Sequence, residues 1–402
     1  MSQDRETPGA RLARARRRRG LSQAVLAGLV GRSESWLSQV ERGRRAIDSH
    51  AVLTRLAEVL RVDITEITGP AGDGEERRVY EPAAAIEQAM MRYDEAAASI
   101  GGAVHREPAS QSLLREMALS AYRGYQGTRY DDIGRRLPAL VRDAEAAARA
   151  PGGTSPDACE TRAIVYDTAA ALLHRVGEPA LAWAAADRAM TAAEQSGRPA
   201  RAAVAAWRLS HVISRRHPEQ ALSLAMTAAA ALERVMRPEP DQLSVYGALH
   251  LAAVNAAATV YDRGMTASLL EKARAIAAET GNGNHLGTAF GPVNVAMHAI
   301  AAALYLGDAK TAVETGESVD PDELPAGCTG RRTQLRLDLA RAYAMRKQDA
   351  AAVNLLLAAE RLSPQLVRYD ARTREVLAVL LRREHQPSTP ELRALARRAG
   401  IS

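Results

Sequence analysis

Glu34, Ser35, Ser38 and Gln39 bring a carboxylate, two hydroxyls and an amide to one side of a short stretch with helical spacing. Residues four apart share a helix face, so Glu34 with Ser38 and Ser35 with Gln39 form two adjacent rows on the outer side. Their chemistry is hydrogen bonding rather than catalysis, since no base, nucleophile or metal-ligand pattern accompanies them. A short helix with a polar outer face of mixed charge suits the donor and acceptor pattern of base edges in a major groove. Arg32 and Ser33 stand at the start of this stretch, and Ser33 is an N-cap for it. Trp36, Leu37 and Val40 fall on the opposite face and point inward. Trp36 has two readings, an aromatic wedge in the core or a contact at a thymine methyl; its apolar spacing with Val40 favours the core.

The elements that must position these groups lie just upstream. Leu21 to Gly43, LSQAVLAGLVGRSESWLSQVERG, reads as a helix, a tight turn and a second helix. Ser22 caps the first helix, whose apolar face is Leu26, Leu29 and Val30. Gly31 permits the positive φ of the corner.

Residues 9–68 resemble the Xre-type helix-turn-helix domain, the five-helix module of the phage repressors. The resemblance rests on GLSQ at Gly20 to Gln23, Leu26 with Ala27, WLSQVERGRR at Trp36 to Arg45, and LTRLAEVLRVDITEI at Leu53 to Ile67. It implies that Gln23 binds a phosphate, and that Glu34, Ser35 and Gln39 face base edges. Arg42, Arg44 and Arg45 would hold the backbone beyond the recognition helix. Glu41 would form a structural ion pair with Arg16 and make no base contact. Val25 departs from the family, where many relatives carry Glu, and removes a capping-box partner for Ser22.

Charge points the same way. Residues 1–68 carry a net +5, against +1 for the remaining 334 residues, so most of the whole-chain +6 sits in the small N-terminal segment. Phosphate neutralisation would use that charge. Arg11, Arg14 and Arg16 to Arg19 lie along one predicted helix, with Arg18 and Arg19 the foremost phosphate candidates. The alternative is a solvated face in a chain that uses 50 Arg and only 3 Lys.

At 402 residues the chain needs at least two folding units. Cys159 and Cys328 are far apart without a CxxC pattern, so neither a metal site nor a disulfide framework is expected, and a reducing cytoplasm is the natural home. The N-terminus is polar and Arg-rich, without the apolar core of a secretory signal. His285 to Gly307 lacks any charged residue, but its strongly apolar part is nearer about 15 residues than the roughly 20 a membrane span needs. A buried bundle helix in a soluble protein is expected there.

Gly69 to Glu81, GPAGDGEERRVYE, breaks every periodicity and reads as a linker. The domains are therefore 1–68, a linker at 69–81 and a second domain at 82–402. From Pro82 onward helices follow one another, first in three helical stretches over 82–150 and then in pairs. The pairs begin near Asp157, Arg198, Gln242, Gly287, Thr329 and Val367, at spacings of 41, 44, 45, 42 and 38 residues. Small residues four apart, Ala182 with Ala186 and Ala225 with Ala229, let paired helices approach closely. Stacked pairs of this kind make an α-solenoid. The region resembles a tetratricopeptide array, with pairs longer than that family's usual unit of about 34 residues.

On the first helices of three successive pairs, a ring or an amide sits four residues from a histidine: Trp207 with His211, Tyr246 with His250, and Asn294 with His298, joined by Asn255. Residues so spaced share a helix face and would line a concave wall, where they could hold a peptide backbone or the polar head of a small molecule. Asn284, His285, Thr288 and Phe290 would form its rim. The competing reading for each is an ordinary core residue. No carboxylate or Cys accompanies the histidines at ligand spacing, so no metal is expected. No phosphate loop, dinucleotide fingerprint, HExxH or GxSxG occurs, and Asp131-Asp132 and Asp143 with Glu145 read as solvated charge, so neither a cofactor nor a catalytic residue is expected.

The sequence thus leads to an all-α protein: a five-helix repressor-like DNA-binding domain followed by an α-solenoid of tetratricopeptide-like helix pairs. The joint architecture resembles the peptide-sensing quorum regulators of Gram-positive bacteria, and the Ala- and Arg-rich composition looks like actinobacterial versions. The expectation is a transcriptional regulator that binds double-stranded DNA at a palindromic operator as a homodimer and senses a peptide or small molecule, with no membrane association. The alternative is a DNA-tethered scaffold whose solenoid recruits a protein.

Overall fold

The computed structural model describes residues 7–43, 47, 50–60, 62, 66–67, 80–91, 109–150, 152–384 and 389–401. The protein is all-helical among these residues and divides into two compact units, Met1–Arg78 and Val79–Ser402.

The first unit contains α1 (Pro8–Arg18), α2 (Gln23–Leu29), α3 (Glu34–Glu41) and α4 (His50–Leu60). A fifth helix, expected from the resemblance, falls largely outside the described residues, although Ile67 is buried here. Each of the first three helices starts on a hydroxyl cap. Thr7 accepts from the Ala10 N–H, Ser22 from Val25 and Ser33 from Trp36, satisfying amides that have no partner within the helix. Gly31 turns the chain between α2 and α3 at φ 66°, a conformation in which a Cβ would be strained. Leu12, Leu26, Leu37, Leu56, Leu60 and Ile67 form the core. The face of α2 differs from expectation at one position. Leu26 and Val30 are buried, but Leu29 is 49% exposed, because on a helix of only two turns the core stripe runs through Leu26, Ala27 and Val30 instead.

The second unit opens with α5 (Pro82–Met91), α6 (Gln111–Gln126) and α7 (Tyr130–Arg149). The pairs α8 (Pro156–Arg175) with α9 (Pro179–Gln195), α10 (Pro199–Ile213) with α11 (Pro218–Glu233), and α12 (Pro240–Thr259) with α13 (Arg263–Thr280) follow. Next come α14 (Pro292–Tyr305) with α15 (Ala309–Glu317) and α16 (Thr329–Met345) with α17 (Asp349–Leu362). The chain ends in α18 (Pro364–Tyr369), α19 (Ala371–Arg382) and α20 (Leu392–Arg398). Many of these helices begin on proline, whose fixed φ suits the first turn and whose missing N–H would have had no partner there. Ala182, Ala186, Ala189 and Ala192 are all fully buried along α9, as are Ala221 and Ala225 on α11, so the paired helices meet through small side chains.

The pairs do not trail off as an open coil. Asp131 at the start of α7 takes a hydrogen bond from Gln365 Nε2 (2.9 Å), its backbone N–H donates to Gln365 Oε1 (3.1 Å), and the Tyr369 hydroxyl lies 3.4 Å from its other oxygen. Tyr80 packs edge-on against Tyr369, with ring centroids 5.3 Å apart, and its hydroxyl donates to the Tyr130 carbonyl. Tyr122 and Gln126 of α6 donate to the Gly287 carbonyl, and Gln126 and Asn284 exchange two amide hydrogen bonds. Arg175 of α8 donates to Gln334 of α16 (3.0 Å). One apolar core runs through Tyr130, Leu137, Leu337, Leu366 and Leu395. The first and last parts of the array are thus joined.

Several sequence expectations change on this account. Tyr80, placed in the linker, is fully buried in the second unit. Asp131 is not solvated charge but a joint between chain ends, and Glu145 is buried and accepts from the Tyr166 hydroxyl (2.8 Å). Helical periodicity shows that a carboxylate lies off the apolar stripe of its own helix, but not that another helix covers it. Similarly, Glu160 is buried and receives Arg115 from α6 and both Arg198 and Arg201 from the start of α10.

The charge-free stretch His285–Tyr305, of mean hydropathy 1.2, is two-thirds buried. It comprises a 3-10 turn at His285–Gly287 and then the 14-residue α14. At about 1.5 Å per residue that helix is about 21 Å long, short of the roughly 30 Å of a bilayer core.

Phe290, immediately before α14, fills the place that a side chain at Gly247 would need: a Cβ there would lie 2.0 Å from the ring. Gly247→Ala should therefore destabilise the second unit by about 1–3 kcal/mol, the reverse of the usual gain from alanine in a helix. Urea unfolding of the full chain measures it, and an unchanged or raised midpoint would refute the tight contact.

Candidate nucleic-acid interface and repeat interior

The outer face of α3 is held in place by an ion pair on its inner side. Glu41, the last residue of α3, accepts Arg16 Nε (2.6 Å) and Nη2 (2.9 Å), while Arg16 Nη1 donates to the Leu21 carbonyl (2.7 Å). Gln23 Nε2 adds a bond to Glu41 (2.7 Å), so one carboxylate ties α1, α2 and α3 together. Burial opposes ionisation of Glu41, but the hydrogen bonds from Arg16 and Gln23, with the charges of Arg16 and Arg17, hold its pKa below the usual range. Gly9 sits so close behind that a Cβ would lie 2.2 Å from the Val40 carbonyl oxygen.

With that face fixed, Arg32, Ser33, Glu34, Ser35 and Gln39 are exposed, Ser38 is half-buried, and Arg42 caps the C-terminus of α3 in the open. Trp36 is only 6% exposed and belongs to the core, which removes it from the base contacts; its ring carries the Arg32 guanidinium at 5.7 Å. Gln23 uses one of its two amide hydrogens on Glu41. Among the basic run, Arg16 is buried in the ion pair, Arg18 meets Glu66 at 3.2 Å, and Arg17 and Arg19 are exposed. Arg44 and Arg45 lie outside the described residues.

In the second unit the three histidine pairs part company. The Trp207 and His211 rings meet edge-to-face at 5.2 Å, and His211 lies 6.5 Å from His298. His298 hydrogen-bonds the Leu251 carbonyl through one ring nitrogen, leaving Nδ1 without a partner. His211 Nε2, Asn294 Oδ1 and Asn255 Oδ1 are likewise buried without partners among the described residues. Asn255 stands one turn beyond Leu251 on α12, on the same face. Tyr246 and His250 do not join this group. The Tyr246 hydroxyl donates to Glu233 (2.7 Å), Lys272 lies over its ring, and His250 Nδ1 bonds the Tyr246 carbonyl (2.9 Å). They stack between α11 and α13, because both neighbouring helices supply a charge there.

The expected rim is also structural. Thr288 and Phe290 are buried, Thr288 bonding Ser244 (2.8 Å), while Asn284 pairs with Gln126 and His285 with Asp241.

Sequence reasoning missed the groups around His211. Arg208 pairs with Asp167 (2.8 Å), reaches the Tyr122 hydroxyl (3.2 Å) and lies over the Tyr125 and Trp207 rings. Arg175 lies 3.8 Å from Asp370. Burial, then the charges of Arg175 and Arg208, lowers the pKa of His174 to about 3, and burial first, then Arg331, does the same for His298. Burial first, then His298 and Arg208, carries His211 well below its ordinary value too. All three imidazoles are neutral at physiological pH. The available signal was an arginine within an otherwise apolar, Ala-rich helix face, as at Arg208. A cavity of about 10 Å³ beside Gln334, Asp338 and Arg372 has room for about one water.

The helix-turn-helix domain family matches residues 9–68, the span that contains α3 and its exposed face. The N-terminal unit therefore contains a helix-turn-helix domain. A similar solved structure is that of Bacillus thuringiensis PlcR in complex with the peptide PapR7 and DNA, at a TM-score of 0.33 and 11% identity over 86% of this chain and 99% of that one. No curated protein sequence matches the chain.

Glu41→Gln should leave Arg16 buried and unpaired, at a cost of about 3 kcal/mol to the N-terminal unit. Since the folded-state pKa of Glu41 is depressed, its contribution is full above the ordinary carboxylate range and fades as pH falls through the lower folded value. Unfolding of the full chain, followed by Trp36 exposure from pH 7 to pH 3, tests both. A variant as stable as the wild type at pH 7 would disprove the role.

Proposed function

We propose that the protein is an Xre-type transcriptional regulator that binds double-stranded DNA sequence-specifically. One observation carries this reading: Glu34, Ser35 and Gln39 are exposed on one face of α3 while Trp36, Leu37 and Val40 are buried on the other, inside a matched helix-turn-helix domain. Such a helix presents side chains to base edges, and Arg32, Arg42 and the Arg17–Arg19 run would neutralise phosphates. Arg44 and Arg45 join them by sequence position. A single domain reads a half-site, so two copies on a palindromic operator convert modest affinity into specificity, and the protein acts as a homodimer in the cytoplasm.

The second unit is read as a tetratricopeptide-like sensor for a peptide or small molecule. The unpartnered atoms of His211, Asn255, Asn294 and His298 support this, because buried polar groups normally find a partner and a ligand would supply one. A scaffold for a folded protein needs an open groove, and the joined ends of this array favour the sensor.

The test is retention of host genomic fragments by the full-length protein, followed by binding to the selected site across a salt series. Log affinity should fall linearly with log salt, by about 0.9 per phosphate contacted. Arg42→Ala should flatten the slope by about 1, whereas Gln39→Ala should cost about 1–3 kcal/mol on the selected site and little on random DNA. No retained fragment at low salt, or a flat salt response, would end this reading.

A further inference from the structure

We propose that Asp338, beside a water-sized cavity between α16 and α19, is a protonation switch for the joint that closes the array, tightening it when protonated and loosening it when ionised.

The ground is a buried carboxylate that the fold leaves without a counter-ion. Asp338 is 7% exposed, and its one hydrogen bond comes from Gln334 Nε2, a turn earlier on α16 (3.1 Å). Among the described residues no cation lies within ion-pair distance of it. The cavity of about 10 Å³ beside it is faced by Asp370, Arg372 and Thr373 at the start of α19, by Arg341 of α16 itself, and by Leu356 of α17, which brings no charge. Both of these arginines are turned to another partner. Arg372 hydrogen-bonds the Tyr305 hydroxyl of α14, and the guanidinium groups of Arg372 and Arg341 lie 5.1 and 5.8 Å from the centre of the Tyr305 ring. The second carboxylate is well held. Asp370 Oδ2 caps α19 by accepting the Thr373 N–H and hydroxyl, both at 2.8 Å, and Oδ1 faces Arg175 of α8 at 3.8 Å. Arg175 in turn donates to Gln334 (3.0 Å), so Asp338, Gln334, Arg175 and Asp370 form one chain from α16 through α8 to α19.

Two carboxylates on one small cavity cannot both ionise without cost, and the less well paired of them keeps its proton longer. Burial, helped by the charge of Asp370, pushes Asp338 up to about 6, against the pull of Arg372, Gln334 and Arg341. Protonated, Asp338 gains an O–H to give to a water in the cavity, which joins α16 to the start of α19. Ionised, it sets a second negative charge beside Asp370. That residue directly follows Tyr369, whose ring meets Tyr80 and whose hydroxyl lies 3.4 Å from Asp131, so repulsion at Asp370 is felt where the two ends of the array meet. The folded protein holds this proton above the ordinary carboxylate range, where an unfolded chain has lost it. The stability it contributes is therefore full at low pH and is lost as pH rises through about 6.

The experiment compares the full-length protein with Asp338→Asn, which keeps an acceptor for Gln334 and cannot ionise, between pH 5 and pH 8. The thermal midpoint of the variant should rise relative to the wild type by about 2–5 °C across that interval, with half of the change near pH 6. Hydrogen exchange over residues 363–373, corrected for its intrinsic pH dependence, reads the joint directly. Protection there should be about fivefold to tenfold greater at pH 5 than at pH 8 in the wild type, and the variant should show no such change. A midpoint difference that is flat with pH, or that moves the other way, overturns the proposal. Should Asp338→Asn fail to fold, the wild type alone still decides: protection over residues 363–373 that is the same at pH 5 and pH 8 refutes the switch, and so does a pH-dependent change of equal size in the variant.

Discussion

Asp131 and Gln365 are separated by 234 residues, yet they exchange hydrogen bonds through both a backbone amide and a side-chain carboxylate. Most of what is particular to the second unit depends on that junction and on its companions, Tyr80 with Tyr369 and Gln126 with Asn284. A stack of helix pairs left open needs only nearest-neighbour contacts and exposes one continuous inner face. Here the inner helices are brought opposite one another, and side chains that would otherwise meet water meet each other. That is why arginines on α8, α10 and α16 lie in one another's fields, and why three histidines are held neutral.

The first unit is organised by a different device on a smaller scale. One carboxylate, Glu41, gathers an arginine from α1 and an amide from α2, and the close approach at Gly9 lets α1 lie against the end of α3. The exposed face of α3 is thereby set by a hydrogen-bonded network on its inner side, with the aromatic Trp36 as filler. Groups that meet a flat surface gain from such stiffness, because less ordering remains to be done on binding.

Much of the fold was legible because its signals are local. Ser22, Ser33 and Gly31 mark the turn through their own hydrogen bonds and dihedrals, and the pair starts expected near Asp157, Arg198, Gln242 and Thr329 coincide with the starts of α8, α10, α12 and α16. The Arg16–Glu41 pair followed from the family resemblance rather than from periodicity. The second unit's interior was legible only in part. Spacing four apart correctly joined Trp207 to His211, but the same spacing in Tyr246 and His250 serves a contact on another side of α12. A helical period says that two residues share a face and is silent on which neighbour that face meets. Arg208, Arg175 and Arg331 escaped notice because an Arg-rich composition makes each look like surface charge, and their convergence depends on contacts across more than a hundred residues.

The meeting of first and last helices also bears on how such a chain can change over generations. Open solenoids lengthen or shorten by whole units at modest cost, since each added unit makes the same contacts as its predecessor. Here an extra pair inserted between α7 and α18 would carry Gln365 and Tyr369 away from Asp131 and lose the hydrogen bonds that they share. Changes in repeat number are thereby penalised at this junction, and substitution is the less costly route to diversity.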